Sequence, residues 1–202
     1  MDQSQYRTAL VEFIELNAKP PDKFSHQARL YAVATRLAED AAYDDDVVYA
    51  AAWLHDLGVF VGHRPEESHK LAHWDHIAYA IEKSPGILRQ CGFPIDKIPA
   101  VLEAIRTHLP SANPTIFEGS LLRDADILEQ LGAVGILRIV SKVGRDTRFI
   151  RFSDALRVLQ MNLEELPGLL KLDSARRLAQ PRVEALKQFL AAAQSEANQV
   201  PW

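Results

Sequence analysis

An imidazole beside a carboxylate, His55-Asp56, closes an almost uninterrupted apolar run at residues 47–54, VVYAAAWL. Burying both groups is costly unless something satisfies them, and a metal cation does so by balancing the carboxylate charge and taking a nitrogen lone pair. Other groups of the same kind are spread along the chain. His26 comes before the pair, Asp124 and Asp126 come after it, and His76 and His108 lie between. Imidazole nitrogens and carboxylate oxygens together suit Mn, Fe, Zn, Ni or Co, and Mg where water completes the shell, so donor type alone does not choose the ion.

Such dispersed donors meet only if the fold brings their elements together. Helical periodicity recurs from end to end, while β-type alternation and short Asn-Gly or Asp-Gly hairpin signals are missing, which predicts an all-α chain. A first helix around residues 9–16 is stopped by Pro20-Pro21. The next starts near Ser25 and carries His26, Leu30, Val33, Ala34 and Leu37 at steps of three and four, so His26 shares the apolar face. Asp44, Asp45 and Asp46 supply caps and favourable charge for the following helix, which reads apolar all round as far as Gly58 and must be central.

A polar loop at residues 62–68 leads to a helix in which His69, His73 and His76 fall at i, i+4 and i+7 on one face. A break at Pro85-Gly86, a helix from Ile98 to His108 and a second loop through Pro110 and Pro114 follow. A helical stretch from Ile116 to about Val143 carries Asp124 and Asp126 and is interrupted near residues 132–135. A polar connector at residues 144–148 and helices around 154–166 and 174–194 complete the chain. Ligands on facing helices of a bundle converge inward, which places a metal site between the central helices.

Taken in order, His26, then Leu54-His55-Asp56-Leu57-Gly58, then Arg123-Asp124-Ala125-Asp126-Ile127-Leu128, the chain resembles the HD superfamily of metal-dependent phosphohydrolases over residues 22–150. The resemblance implies an HD-domain helical bundle at 22–150, with residues 1–21 as an N-terminal helix packing on the core and 151–202 as a helical extension. It also implies His26, His55, Asp56 and Asp126 as metal ligands. Helical phase with Leu121, Leu128 and Leu131 instead favours Asp124 for the buried face. We take Asp126 as the ligand and Asp124 as an acceptor that orients an imidazole or a basic side chain. Some HD proteins add histidines between the His-Asp pair and the final aspartate and so hold two metals, and here His76 and His108 occupy that interval.

Other patterns carry less. His69 and His73 have the spacing of a zinc metalloprotease, but Lys70 stands where the general-base glutamate belongs, so a peptidase is not expected. No Gly-rich phosphate loop is present. Phosphate chemistry needs cations near the nonbridging oxygens. Arg64 and Arg123 are the first choices from their nearness in sequence to the ligands, ahead of Lys70, Arg106 and Arg145.

Composition narrows the class further. Of 202 residues, 48% are hydrophobic and 25% charged, as in an ordinary globular protein. A net charge of -4 argues against an extended nucleic-acid surface and leaves room for a local pocket that takes a small anion. With Cys91 as the single cysteine, neither an intrachain disulfide nor a cysteine zinc cage can form. The first residues show no basic segment followed by an apolar one, and no stretch approaches the roughly 18 apolar residues of a membrane span. A cytoplasmic protein with no membrane partner is therefore expected.

The expectation is a hydrolase of a small phosphate ester or phosphoanhydride, a nucleotide first, in which a metal-activated water attacks phosphorus. Asp56, His76, His108 and Asp124 would assist, and Arg64 and Arg123 would hold phosphate. Two alternatives use the same residues. One is an HD-type di-iron oxygenase with His26, His55, Asp56, His76, His108 and Asp126 as ligands. The other is a metal-stabilised nucleotide-binding or regulatory module without turnover. Oligomeric state is not legible in the sequence.

Overall fold

The structure is a computed structural model that describes residues 3–20 and 22–198. Among them are ten α-helices and two short 3-10 turns. The one bridge outside the helices joins Val61 to Arg64, and the described residues form no strand. The all-α expectation is met.

Packing divides the chain into two units, one through Arg123 and one from Asp124 onward. The first contains α1 (Gln3–Asn17), α2 (Asp22–Ala38), α3 (Asp45–Leu54), α4 (Ser68–Leu71), α5 (His76–Gln90) and α6 (Ile98–Arg106). The helix α7 (Phe117–Glu129) crosses the division. The second unit continues with α8 (Gly132–Val140), α9 (Phe152–Leu169) and α10 (Asp173–Glu196), which pack pairwise on one another.

Helix α3 is the centre of the first unit. Every residue from Asp46 to Leu54 is buried, and α2 and α6 pack most extensively against it, with α1 and α5 also in contact. A helix apolar on all sides finds its stability in such surroundings, because each side chain leaves water whichever way it points. Its start is fixed as the three aspartates predict. The Asp44 carboxylate accepts the backbone N–H groups of Asp46 and Val47, at 3.1 and 3.4 Å. Asp46 accepts from Tyr6 Oη, Arg7 Nη2 and Lys97 Nζ, which ties α1 and the turn before α6 to the head of α3.

Three local expectations are corrected. Helix α3 stops at Leu54 rather than running to Gly58. His55 is its C-cap, and a 3-10 turn, Leu57–Val59, follows. His69, His73 and His76 do not share a helix, because the Asp75 carboxylate caps the backbone N–H groups of Ile77 and Ala78 and starts α5 at His76. Helix α5 also continues through Pro85. A proline inside a helix forfeits one backbone hydrogen bond, but Ser84 and Leu88 are both fully buried, so tertiary packing holds the last turns in register.

A candidate metal centre

Ending α3 at Leu54 has a direct chemical consequence. The capping residue turns its ring back over the last helical turn, and His55 Nδ1 lies 3.0 Å from the Ala52 carbonyl oxygen. A carbonyl only accepts, so Nδ1 carries the hydrogen and Nε2 of the neutral ring presents its lone pair. His108 repeats the device just beyond α6, with Nδ1 2.7 Å from the Ile105 carbonyl. Both rings are nearly buried, at 1% and 2% exposure, and their tautomers are set by carbonyls three residues earlier in the chain. Metal-binding imidazoles are ordinarily oriented in this way.

Two imidazole nitrogens approach one carboxylate. His55 Nε2 is 3.7 Å from Asp56 Oδ1, and His26 Nε2 is 3.9 Å from Asp56 Oδ2. These separations exceed a hydrogen bond. Donor atoms of His26, His55 and Asp56 all lie within 4.8 Å of one another, and so do those of Asp56, His76 and His108. Ligand bonds of about 2.0 to 2.6 Å place donors on opposite sides of one ion about 4 to 5 Å apart, so each group has the reach of a single coordination sphere. The rings stand edge to face in a chain. His26 to His55, His55 to His108 and His108 to His76 have centroid separations of 5.4, 5.0 and 6.0 Å. Asp56, whose side chain is 15% exposed, belongs to both groups and is the donor nearest solvent among those with His26 and His55. Nitrogen and oxygen donors without cysteine fit a divalent transition metal or Mg.

His26 stands on the buried face of α2, at 3% exposure, as its phase with Leu30, Ala34 and Leu37 predicts. The aspartates of α7 lie in the second unit. Asp124 is fully buried, and its Oδ2 accepts the backbone N–H groups of Lys171 and Leu172 at 2.8 and 2.7 Å, holding the link between α9 and α10. Asp126 is half-buried, with Oδ2 3.3 Å from Gln130 Nε2.

The two arginines favoured from sequence differ in kind. Arg123 is 2% exposed and donates through Nη2 to the Pro110 carbonyl, so its guanidinium fastens the turn that follows His108. Arg64 is half-buried in the loop after the His-Asp turn, its backbone N–H bonded to the Phe60 carbonyl.

Sequence reasoning missed a second set of residues. Trp74 Nε1 donates to the Gly58 carbonyl at 2.7 Å. His63 Nδ1 lies 3.0 Å from Tyr79 Oη, and His63 Nε2 lies 2.9 Å from Asn17 Oδ1. Burial lowers the His63 pKa below its ordinary value. The signal that could have exposed this set was Asp75, a capping residue directly before His76-Ile77-Ala78, which separates α5 from the histidines upstream.

The family model for the HD domain matches residues 24–131. The crystal structure of Bacillus subtilis YpgQ is similar over 100% of both chains, with a TM-score of 0.77 at 20% identity. The structure of YpgQ in complex with ADP covers 96% of this chain and 100% of that one, with a TM-score of 0.73 at 21% identity. A predicted HD superfamily hydrolase from an uncultured Thermotogales bacterium is 26% identical, with a TM-score of 0.62 and coverage of 96% and 92%. No curated protein matches the sequence.

Proposed function

The chain belongs to the HD domain family, and on that premise we propose that it is a metal-dependent hydrolase of small phosphate esters or phosphoanhydrides, with nucleotides as the first substrate class. The observation that carries the proposal is the grouping of His26, His55 and Asp56, with Asp56 shared by a second group containing His76 and His108. That YpgQ, a protein of the same fold, has been crystallised with ADP supports a nucleotide.

His26, His55 and Asp56 would hold the ion. Bound there, a divalent metal supplies a nucleophilic water at neutral pH and neutralises charge on the phosphoryl group. The protein's own groups do the remaining work. The Ile105 carbonyl keeps the hydrogen of His108 on Nδ1, so Nε2 is the basic nitrogen and suits a proton acceptor. Asp56, at the junction of both groups, would pass the proton on, and together with His76 and His108 it would hold a second ion. Arg64 takes the substrate phosphate. Arg123 serves by fixing Pro110 and the turn after His108, and Asp124 by fixing the α9–α10 link.

A second reading draws on the same grouping of His76 and His108 about Asp56, which is also what a di-iron oxygenase needs. It predicts two irons per chain and oxygen consumption that depends on substrate.

The test is a screen of purified protein with Mn, Mg, Ni, Co, Fe and Zn against nucleoside mono-, di- and triphosphates and a generic phosphate ester, with products identified. Release of phosphate or pyrophosphate that is lost in His55→Ala and Asp56→Ala supports the proposal. Wild type and both variants behaving alike would sink the assigned site. Tight metal binding with no turnover on any substrate would favour the regulatory module.

A further inference from the structure

We propose that Trp74 is a positioning residue for the second half of the centre, setting where His76 stands relative to Asp56. The inference rests on the metal reading above and concerns residues outside the ligand set.

The turn Leu57–Val59 directly follows Asp56, and its middle residue lies against the first residue of α5. A Cβ on Gly58 would stand 2.6 Å from the His76 carbonyl oxygen and 2.7 Å from its Cα. Both are backbone atoms that cannot swing aside, so only glycine permits this approach. Backbone contact without side chains is not adhesive in itself, and something must hold the two segments together. Trp74 does so, since its indole N–H reaches back to the Gly58 carbonyl at 2.7 Å from a point two residues before His76. Between them, the Asp75 carboxylate accepts the N–H groups of Ile77 and Ala78, which fixes His76 as the first helical residue.

The indole is itself fixed. Its ring packs on Tyr79, with centroids 5.3 Å apart. Tyr79 Oη meets His63 Nδ1, and His63 Nε2 meets Asn17 Oδ1 at the end of α1. Asn17 Nδ2 donates to the Phe13 carbonyl, which orients its Oδ1 toward His63. The imidazole therefore donates from Nε2 and accepts the Tyr79 hydroxyl at Nδ1. A run of fully assigned hydrogen bonds and ring contacts thus leads from α1 to the Gly58 carbonyl and fixes the height of His76 over Asp56.

The variant Trp74→Phe keeps a ring against Tyr79 and removes only the N–H donor. Metal titration followed by calorimetry and by the d–d absorption of Co(II) reads the two halves separately and needs no substrate. Wild type should take two Co(II) ions in distinguishable steps, and His76→Ala should lose one of them. Trp74→Phe should weaken that same step about 10-fold, the lower range for groups that orient ligands, and leave the other step unchanged. Gly58→Ala should weaken the same step, reached from the opposite side of the contact. Two steps in Trp74→Phe identical to wild type would overturn the inference and leave the metal reading intact. Equal weakening of both steps would overturn it as well, showing a general structural role. A single wild-type ion unaffected by His76→Ala would remove the second half and the inference with it. A wild type that takes no metal would bring down the functional reading and the inference together.

Discussion

Replacing Asp46 with asparagine should destabilise the protein by about 2 to 3 kcal/mol at neutral pH, and the loss should fade on acidification. Asp46 is 4% exposed and accepts from Tyr6 Oη at 2.5 Å, Lys97 Nζ at 2.8 Å and Arg7 Nη2 at 3.0 Å. Burial by itself would raise its pKa, but the hydrogen bonds from Lys97, Tyr6 and Arg7 outweigh burial and hold it at about 2, against an ordinary 3.8. At 1.36 kcal/mol per unit, that difference corresponds to about 2 to 3 kcal/mol of stability. The direction follows from proton binding. An unfolded chain takes up the proton near 3.8 while the folded one resists until about 2, so the contribution is complete above 3.8 and is lost as pH falls toward 2. Asparagine keeps the shape but removes the charge and turns an N–H group toward donors. For a chain of this size the midpoint of thermal unfolding should fall by about 4 to 12 °C at pH 7. The assay is thermal or urea unfolding of wild type and Asp46→Asn between pH 7 and pH 2.5, in which the gap between them should narrow below about pH 4. Metal titration at pH 7 should be unaltered, because Asp46 lies at the opposite end of α3 from His55, about 13 Å along the axis at 1.5 Å per residue. A gap that stays constant over the whole pH range, or no gap at pH 7, would refute the reasoning.

Gly58→Ala should cost about 1 to 3 kcal/mol in urea unfolding, the range for a forced backbone shift, because its Cβ would meet the His76 backbone. Burial lowers the His63 pKa, so its contribution is present above the unfolded value near 6.5 and declines as pH falls through it. Stability should therefore drop between pH 7 and pH 5, and His63→Phe should show a flatter profile over that range. Arg123→Met should lose about 1.5 to 3 kcal/mol with the bond to the Pro110 carbonyl. It should also broaden the NMR signal of His108 through a loosened turn, whereas an unchanged signal and unchanged stability would return Arg123 to the groups that could hold substrate phosphate.

How much was legible depended on whether the cause was local. The capped start of α3, its burial on all sides and the inward face of His26 follow from residues a few positions apart, and the structure shows each. The end of α3 is not legible because Leu57 is as apolar as the helix before it, and hydropathy does not distinguish a 3-10 turn from another helical turn. The three histidines at 69, 73 and 76 satisfied helical spacing, yet the Asp75 cap divides them, since a side-chain acceptor for free N–H groups outweighs periodicity. Pro85 reads as a break because the burial of Ser84 and Leu88 is a tertiary fact. Helical phase correctly put Asp124 in the interior. Its partners, the N–H groups of Lys171 and Leu172, lie 47 and 48 residues away and leave no local trace. Nearness in sequence to the aspartates recommends Arg123 for phosphate and says nothing of the Pro110 carbonyl it binds.

The most direct test is the metal content of Asp56→Ala beside wild type, after loading with Mn or Co and exhaustive dialysis, with circular dichroism to show that both are folded. Asp56 is the one residue shared by the two donor groups. Wild type should retain divalent metal and folded Asp56→Ala should retain none, whereas a folded Asp56→Ala that keeps the full wild-type complement would contradict the assignment of the centre.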